Sequence, residues 1–62
     1  MSVLERLLKG ADDIIKTYKA VALKQKNEGR YGDYVRTNDM IAGMYCIRVL
    51  IEICKEKEDV HQ

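Results

Sequence analysis

Residues 40–54 read MIAGMYCIRVLIEIC and carry apolar side chains over more of a helix surface than one neighbouring helix can cover. In an α-helix these side chains fall on two adjacent lines, because residues at heptad spacing share a face. One partner helix covers one such line, and the rest of the chain supplies only one comparable helix. We therefore expect a second chain to cover the other line. The predicted oligomer interface comprises both lines: Met40, Gly43, Met44, Cys46, Ile47, Leu50, Ile51, Ile53 and Cys54.

Residues 47–53 taken alone also fit a β-strand, because β-branched residues recur there. Helix is favoured because the periodic pattern runs over residues 39–59, which is far longer than a typical strand. The prediction is a second helix over about residues 38–58, capped by Thr37 or Asn38.

The first periodic segment begins with the capping-box pattern Ser2-Val3-Leu4-Glu5. In this pattern the serine hydroxyl accepts a hydrogen bond from the Glu5 amide, and the Glu5 carboxylate reaches back to the Ser2 amide. Apolar residues then recur every three or four positions, which predicts a helix over about residues 3–26. The side chains expected to pack on the second helix are Leu4, Leu7, Leu8, Ala11, Ile14, Ile15, Tyr18 and Val21.

The middle of the chain, residues 27–37, contains two glycines and no helical period. It is predicted to be a loop of about ten residues, with Asn27 or Gly29 ending the first helix. Residues 59–62 are expected to form a frayed tail. Residues 1–62 are thus predicted to form one all-α domain, a two-helix antiparallel hairpin that self-associates as a four-helix-bundle homodimer.

Composition narrows the class of protein. The chain has 62 residues, 47% of them hydrophobic, with a formal net charge of +1. A domain this small buries only about 60% of its unfolded surface, so association would stabilise it. No apolar run reaches the roughly 20 residues that cross a membrane, and the N-terminus lacks the basic and apolar regions of a secretory signal. We expect a cytoplasmic protein that does not contact a membrane.

The two cysteines, Cys46 and Cys54, are eight residues apart. On one helix their backbones are separated by about 12 Å, which exceeds the reach of a disulfide. They are expected to be small buried hydrophobes in a reducing compartment. A bridge between chains or a metal pair is the alternative, although the spacing is not CxxC.

No catalytic, cofactor or metal motif emerges from the sequence. The single histidine, His61, is next to the C-terminus, and the single serine is better explained as a helix cap. We therefore expect a protein that is not an enzyme and needs no cofactor. A metal-dependent hydrolase remains a weaker alternative, because carboxylates on two helices can hold Mg²⁺. It would use the C-terminal acids Glu52, Glu56 and Asp59, while Asp12 and Asp13 are expected on the outer side of the first helix, and a solvated charged face explains the same residues.

Positive charge concentrates toward the turn end of the predicted hairpin. Residues 16–36 contain six basic and two acidic residues, with tyrosines among them. Arginine forks and tyrosine faces together suit a nucleotide, a nucleic-acid backbone or an acidic protein surface. A solvated helix end explains the same pattern, and nucleic-acid binding usually accompanies a larger net charge than +1. The candidate ligand- or partner-binding residues are Lys24, Lys26, Arg30, Tyr31, Tyr34 and Arg36.

Two resemblances bear on function. A two-helix chain of this length is similar in architecture to RNA-binding plasmid copy-number regulators, which dimerise into four-helix bundles. Tyr31-Gly32-Asp33 and the stretch Gly43 to Arg48 resemble small phage helical-hairpin proteins, some of which sequester cyclic nucleotides. Neither resemblance assigns a site residue. We expect a small interaction protein, such as a phage-type inhibitor or adaptor that docks on a larger protein. Binding of a nucleotide, RNA or DNA is the alternative.

Overall fold

The computed structural model describes residues 2–60, with the side chains of residues 2–58. It contains two helices, α1 over Val3–Asn27 and α2 over Tyr31–Val60, and no strand within the described range. The predicted all-α helical hairpin is confirmed, and residues 47–53 lie in a helix rather than a strand.

The predicted tail begins two residues too early, because α2 continues to Val60. His61 and Gln62 lie outside the described residues.

The start of α1 follows the predicted cap. Ser2 has an extended backbone, with φ −70° and ψ 163°, and its side-chain oxygen accepts the Glu5 N–H at 3.1 Å. The Glu5 carboxylate lies instead beside α2, where its Oε1 is 3.8 Å from Lys55 Nζ. The Ser2 half of the capping box thus caps the start of α1, while the Glu5 carboxylate contacts the second helix.

The connection between the helices is three residues long, so the predicted loop over residues 27–37 is wrong. Gly29 adopts φ +75° directly after α1. Its N–H donates to the Lys26 carbonyl at 3.1 Å, and the Arg30 N–H donates to the Gln25 carbonyl at 2.9 Å. These two bonds form a Schellman motif, which satisfies the last carbonyls of α1 and reverses the chain at once.

The predicted caps of α2 are also wrong, because α2 begins at Tyr31 and contains both Thr37 and Asn38. Thr37 is buried, and its hydroxyl lies 2.7 Å from Gln25 Oε1 and 2.9 Å from the Asp33 carbonyl oxygen. These contacts satisfy the hydroxyl inside the helix, where it has no free amide to cap. Tyr34 packs on the core one turn earlier, which extends α2 toward the turn.

Each helix places one line of alternating three- and four-residue spacing against the other. We call these two lines the inner seam. Most of its side chains are buried or half-buried. On α1 the seam consists of Leu4, Leu8, Ala11, Ile15, Tyr18, Ala22 and Gln25. On α2 it consists of Tyr34, Thr37, Ile41, Met44, Arg48, Ile51 and Lys55.

The buried apolar core of the hairpin is small. Among the described residues it consists of Ile15, Ala22 and Ile41, against which Tyr18, Tyr34 and Met44 pack. Three side chains that were expected to pack on α2 are exposed instead, namely Leu7, Ile14 and Val21. Both the expected and the observed lines on α1 have helical spacing in the sequence. About the axis of α1, the observed line is rotated from the expected one by less than the angle between two successive residues.

The hairpin is one helix thick. Its Cα atoms span 50 × 18 × 10 Å, and their radius of gyration is 14.7 Å. A compact chain of this length has a radius of gyration of about 10.6 Å. Domains normally bury an apolar layer against a second layer, so both broad sides of this hairpin remain uncovered.

Two glycines near the turn give a matched stability test. Gly29→Ala should lower the free energy of unfolding by about 1 kcal/mol, because a Cβ is strained at positive φ. Gly32→Ala should raise it by up to about 1 kcal/mol, because Gly32 is helical with open space around its Cα. Urea unfolding followed by circular dichroism at one protein concentration measures both. Equal destabilisation by the two changes would contradict the observed turn.

Candidate interaction surface

One broad side of the hairpin is apolar along most of its length. Contacts across the helices at Arg48–Asp12, Lys55–Glu5 and Thr37–Gln25 fix their register. This register sets Leu7 about level with Cys54, Ile14 with Ile47, and Val21 with Met40. Ile14 and Ile47 meet across an open groove of about 160 Å³, which Ala11 and Met44 complete. We call this side the apolar face. Its exposed side chains are Leu7, Ile14, Val21, Met40, Ile47, Leu50 and Cys54.

A second exposed apolar line follows the outer edge of α2. It lies about a quarter-turn or more from both the inner seam and the apolar face, and we call it the outer stripe. Val35 is 55% exposed and Val49 is 49% exposed. Between residues 40 and 54, α2 therefore presents apolar side chains in three directions, of which α1 covers one. The outer stripe consists of Val35, Ala42, Cys46, Val49 and Ile53.

The predicted oligomer interface divides between these surfaces. Met44 and Ile51 are half-buried on the inner seam. Cys46 and Cys54 are exposed thiols, so the expectation that they are buried within the fold is wrong for the single hairpin. The other predicted residues are also exposed on this hairpin: Met40, Gly43, Ile47, Leu50 and Ile53. That a second chain covers them stays a prediction.

The apolar pattern of α1 predicts that Leu7, Ile14 and Val21 pack within the hairpin, whereas the structure exposes them on the apolar face. Their seven-residue spacing does not separate them from the inner seam, because Leu8, Ile15 and Ala22 have the same spacing.

The opposite broad side is held by polar contacts. Arg48 Nε donates to Asp12 Oδ1 at 2.5 Å, and the same guanidinium pairs with Glu52. The hydrogen bond that Arg48 donates to the Asp12 carboxylate is the main cause that raises the pKa of Arg48. Lys19 Nζ lies 5.1 Å from the centre of the Tyr45 ring. These contacts link the helices, and the same side also exposes Leu23 and the ring of Tyr45.

The carboxylates considered as metal ligands do not converge. Asp12 and Glu52 are separated by the Arg48 guanidinium, which bonds to both. Asp13 lies on the outer surface of α1, and the side chain of Asp59 lies outside the described set. Among the side chains that the structure describes, no group of three histidine, cysteine or carboxylate residues could hold a metal ion.

Three of the six candidate binding residues at the turn end already contact other side chains of the hairpin. Arg30 bonds to Asp33 through Nε at 2.9 Å and Nη2 at 2.6 Å. Lys26 Nζ lies 5.8 Å from the ring centre of Tyr34, which is itself packed on the core. The remaining candidates are exposed: Lys24, Tyr31 and Arg36.

Comparison with known protein families, curated proteins and solved structures finds no match to this chain. Neither α1 nor α2 is both long and apolar enough to cross a membrane.

The turn end provides the test of anion binding. Because Asp33 already pairs with Arg30, we expect no binding of single-stranded RNA or a cyclic nucleotide at about 0.15 M salt. Fluorescence anisotropy over a salt series measures this. Binding that weakens with salt and is lost in the variant Arg30→Ala plus Arg36→Ala would favour the nucleotide or nucleic-acid alternative.

Proposed function

We propose that this chain is a non-enzymatic interaction protein that forms a four-helix-bundle homodimer and docks, as an inhibitor or adaptor, on a larger protein. The observation that carries the proposal is the apolar surface of α2, which faces three directions while α1 covers only one. A helix that is apolar on all sides is normally buried on all sides. The apolar face accounts for the second copy, and the outer stripe accounts for the partner.

The exposed area supports a second copy on the apolar face. The chain exposes 4885 Å², whereas a compact protein of 7.2 kDa exposes about 4,100 Å². Two separate copies expose roughly 9,800 Å², and a compact particle of twice the mass exposes about 6,800 Å². A pair as compact as an average protein of that mass would thus have buried about 2,900 Å², and obligate homodimers bury about 2,000 to 5,000 Å².

The outer stripe suits an amphipathic helix of the partner protein. Its apolar residues from Val35 to Ile53 extend for about 27 Å along α2, because a helix rises about 1.5 Å per residue. Asp39 and Glu56 lie on the same line as the stripe, near its two ends. A docking helix with an apolar line and basic residues near its ends complements this surface.

Three polar groups that could take part in catalysis already have structural roles, which supports a non-enzymatic protein. The Ser2 hydroxyl caps α1, and the Asp12 and Glu52 carboxylates hold Arg48. A nucleophile needs a positioned base, and a general acid needs an orientated substrate site. Neither arrangement is formed by these groups.

The proposed dimer should be visible in the mass of the protein in solution. At micromolar concentration, light scattering should give twice the chain mass of 7.2 kDa for the unmodified protein. Ile47→Asp should give a single chain, because it places a charge within the apolar face. Val49→Asp makes a comparable change on the outer stripe and should leave the mass doubled. Ile51→Asp is less informative, since Ile51 is half-buried against α1 and its loss would disrupt the hairpin itself.

The alkylation rates of the two cysteines test the same interface in the unmodified chain. Both thiols are exposed in one hairpin, but Cys54 lies on the apolar face and Cys46 on the outer stripe. Alkylation followed by mass spectrometry should show slow reaction at Cys54 and fast reaction at Cys46. Equal rates, together with the mass of one chain, would refute the dimer.

The outer stripe should be required for capture of the partner protein. Immobilised chain should capture a protein from a nuclease-treated lysate of its source cell, and Val49→Asp should lose that protein while remaining dimeric. Lys16→Asp, on the exposed back of α1, provides the matched control and should retain it. Capture that Val49→Asp does not reduce, or that nuclease treatment abolishes, would count against docking through the outer stripe.

A further inference from the structure

Two arrangements bring the apolar faces of two hairpins together with a two-fold axis and only antiparallel neighbours. In one, both turns lie at the same end of the bundle, and α1 packs on α2 of the second copy. In the other, the turns lie at opposite ends, so that α1 packs on α1 and α2 packs on α2. Both bury the same faces, and the distribution of charge and side-chain size distinguishes them.

We propose that the two copies pair with their turns at opposite ends, so that Ile47 of one copy faces Ile47 of the other. This inference rests on the proposed dimer. The turn half of the hairpin, residues 16–46, carries six basic and three acidic side chains, while the whole chain has a net charge of only +1. The turn half is thus about +3 and the other half about −2. Opposite ends bring unlike halves together, whereas equal ends stack like charges.

Side-chain sizes on the apolar face agree with this arrangement. Leu7 with Cys54, Ile14 with Ile47, and Val21 with Met40 form three levels at equal spacing. When the two-fold axis passes through the level of Ile14 and Ile47, the second copy covers all three levels. Across α2 this symmetry sets Leu50 over Gly43 of the second copy. Gly43 is exposed and has no side chain, so a leucine of the second copy can approach the α2 backbone there.

The charges near the two ends of α2 also favour turns at opposite ends of the bundle. The same symmetry sets Arg36 near Glu58 of the second copy, and both side chains are exposed on the single hairpin. With both turns at one end, Arg36 would instead lie near both Lys24 and Glu28 of the second copy, whose charges oppose each other. The proposed arrangement therefore gives Arg36 an acidic neighbour at the end of α2.

The arrangement also determines what the dimer presents to a partner. Because α2 packs beside α2, the two outer stripes lie next to each other along one edge of the bundle. The assembled particle then offers one broad docking surface rather than two separate narrow ones.

Disulfide trapping tests the arrangement in the full-length chain. The background is Cys46→Ala plus Cys54→Ala, and chains carrying Ile14→Cys and Ile47→Cys are mixed under a glutathione redox buffer. Helices packed about 8–10 Å apart bring facing Cα atoms near the limit of about 7 Å for a disulfide. We expect linked peptides joining position 47 to 47 and 14 to 14. Asn38→Cys, on the polar side, should stay unlinked under the same conditions.

Peptides joining position 14 to 47 between chains would overturn the proposal in favour of turns at the same end. Absence of any link in a particle that has the mass of two chains would also overturn it, while leaving the dimer intact. Light scattering that gives the mass of one chain would instead refute the proposed dimer. The charge exchange supplies a second readout: Arg36→Glu should weaken dimerisation at least several-fold, and adding Glu58→Arg should restore it.

Discussion

The shape of this molecule follows from the number of helices available to cover α2. A helix in water has to bury its apolar side chains against something, and two helices can only lie side by side. That geometry covers one line on each helix and leaves two broad sides open. For α1 the uncovered surface costs less free energy, because charged residues occupy most of it. On α2 it is not, because apolar residues continue around the helix from residue 40 to residue 54.

The inner seam specifies the alignment of the helices more than it contributes apolar stability. Toward the turn it contains Ile15, Ala22 and Ile41, the buried residues of the described core. Toward the open end it contains Arg48 and Lys55, which pair with carboxylates on α1. Exposed ion pairs contribute little free energy, but opposite charges at fixed positions disfavour other registers. The hairpin is thus aligned by polar contacts, while its largest uncovered apolar surface lies elsewhere.

The sequence predicts the helical class well and the turn poorly. The sequence predicts the Ser2 cap because a capping box places Ser or Thr three residues before Glu or Gln. The three-residue turn was missed because a Schellman motif requires only Gly29 in a left-handed conformation, which any glycine can supply. Residues 31–37 have no clear period of their own. They become helical because Tyr34 and Thr37 reach the inner seam, and this depends on tertiary contact with α1.

The rotation of α1 could not be read from its apolar pattern alone. Two lines with the same alternating spacing run along this helix, one through Leu8, Ile15 and Ala22 and the other through Leu7, Ile14 and Val21. Apolar burial alone does not choose between them. Asp12 lies beside the first line and can reach Arg48 only when that line faces α2. The contact between Arg48 and Asp12 therefore favours the seam that also buries Ile15 and Ala22, and this seam leaves Leu7, Ile14 and Val21 exposed on the apolar face. The hairpin's own polar contacts thus assemble the surface that we propose a second copy covers.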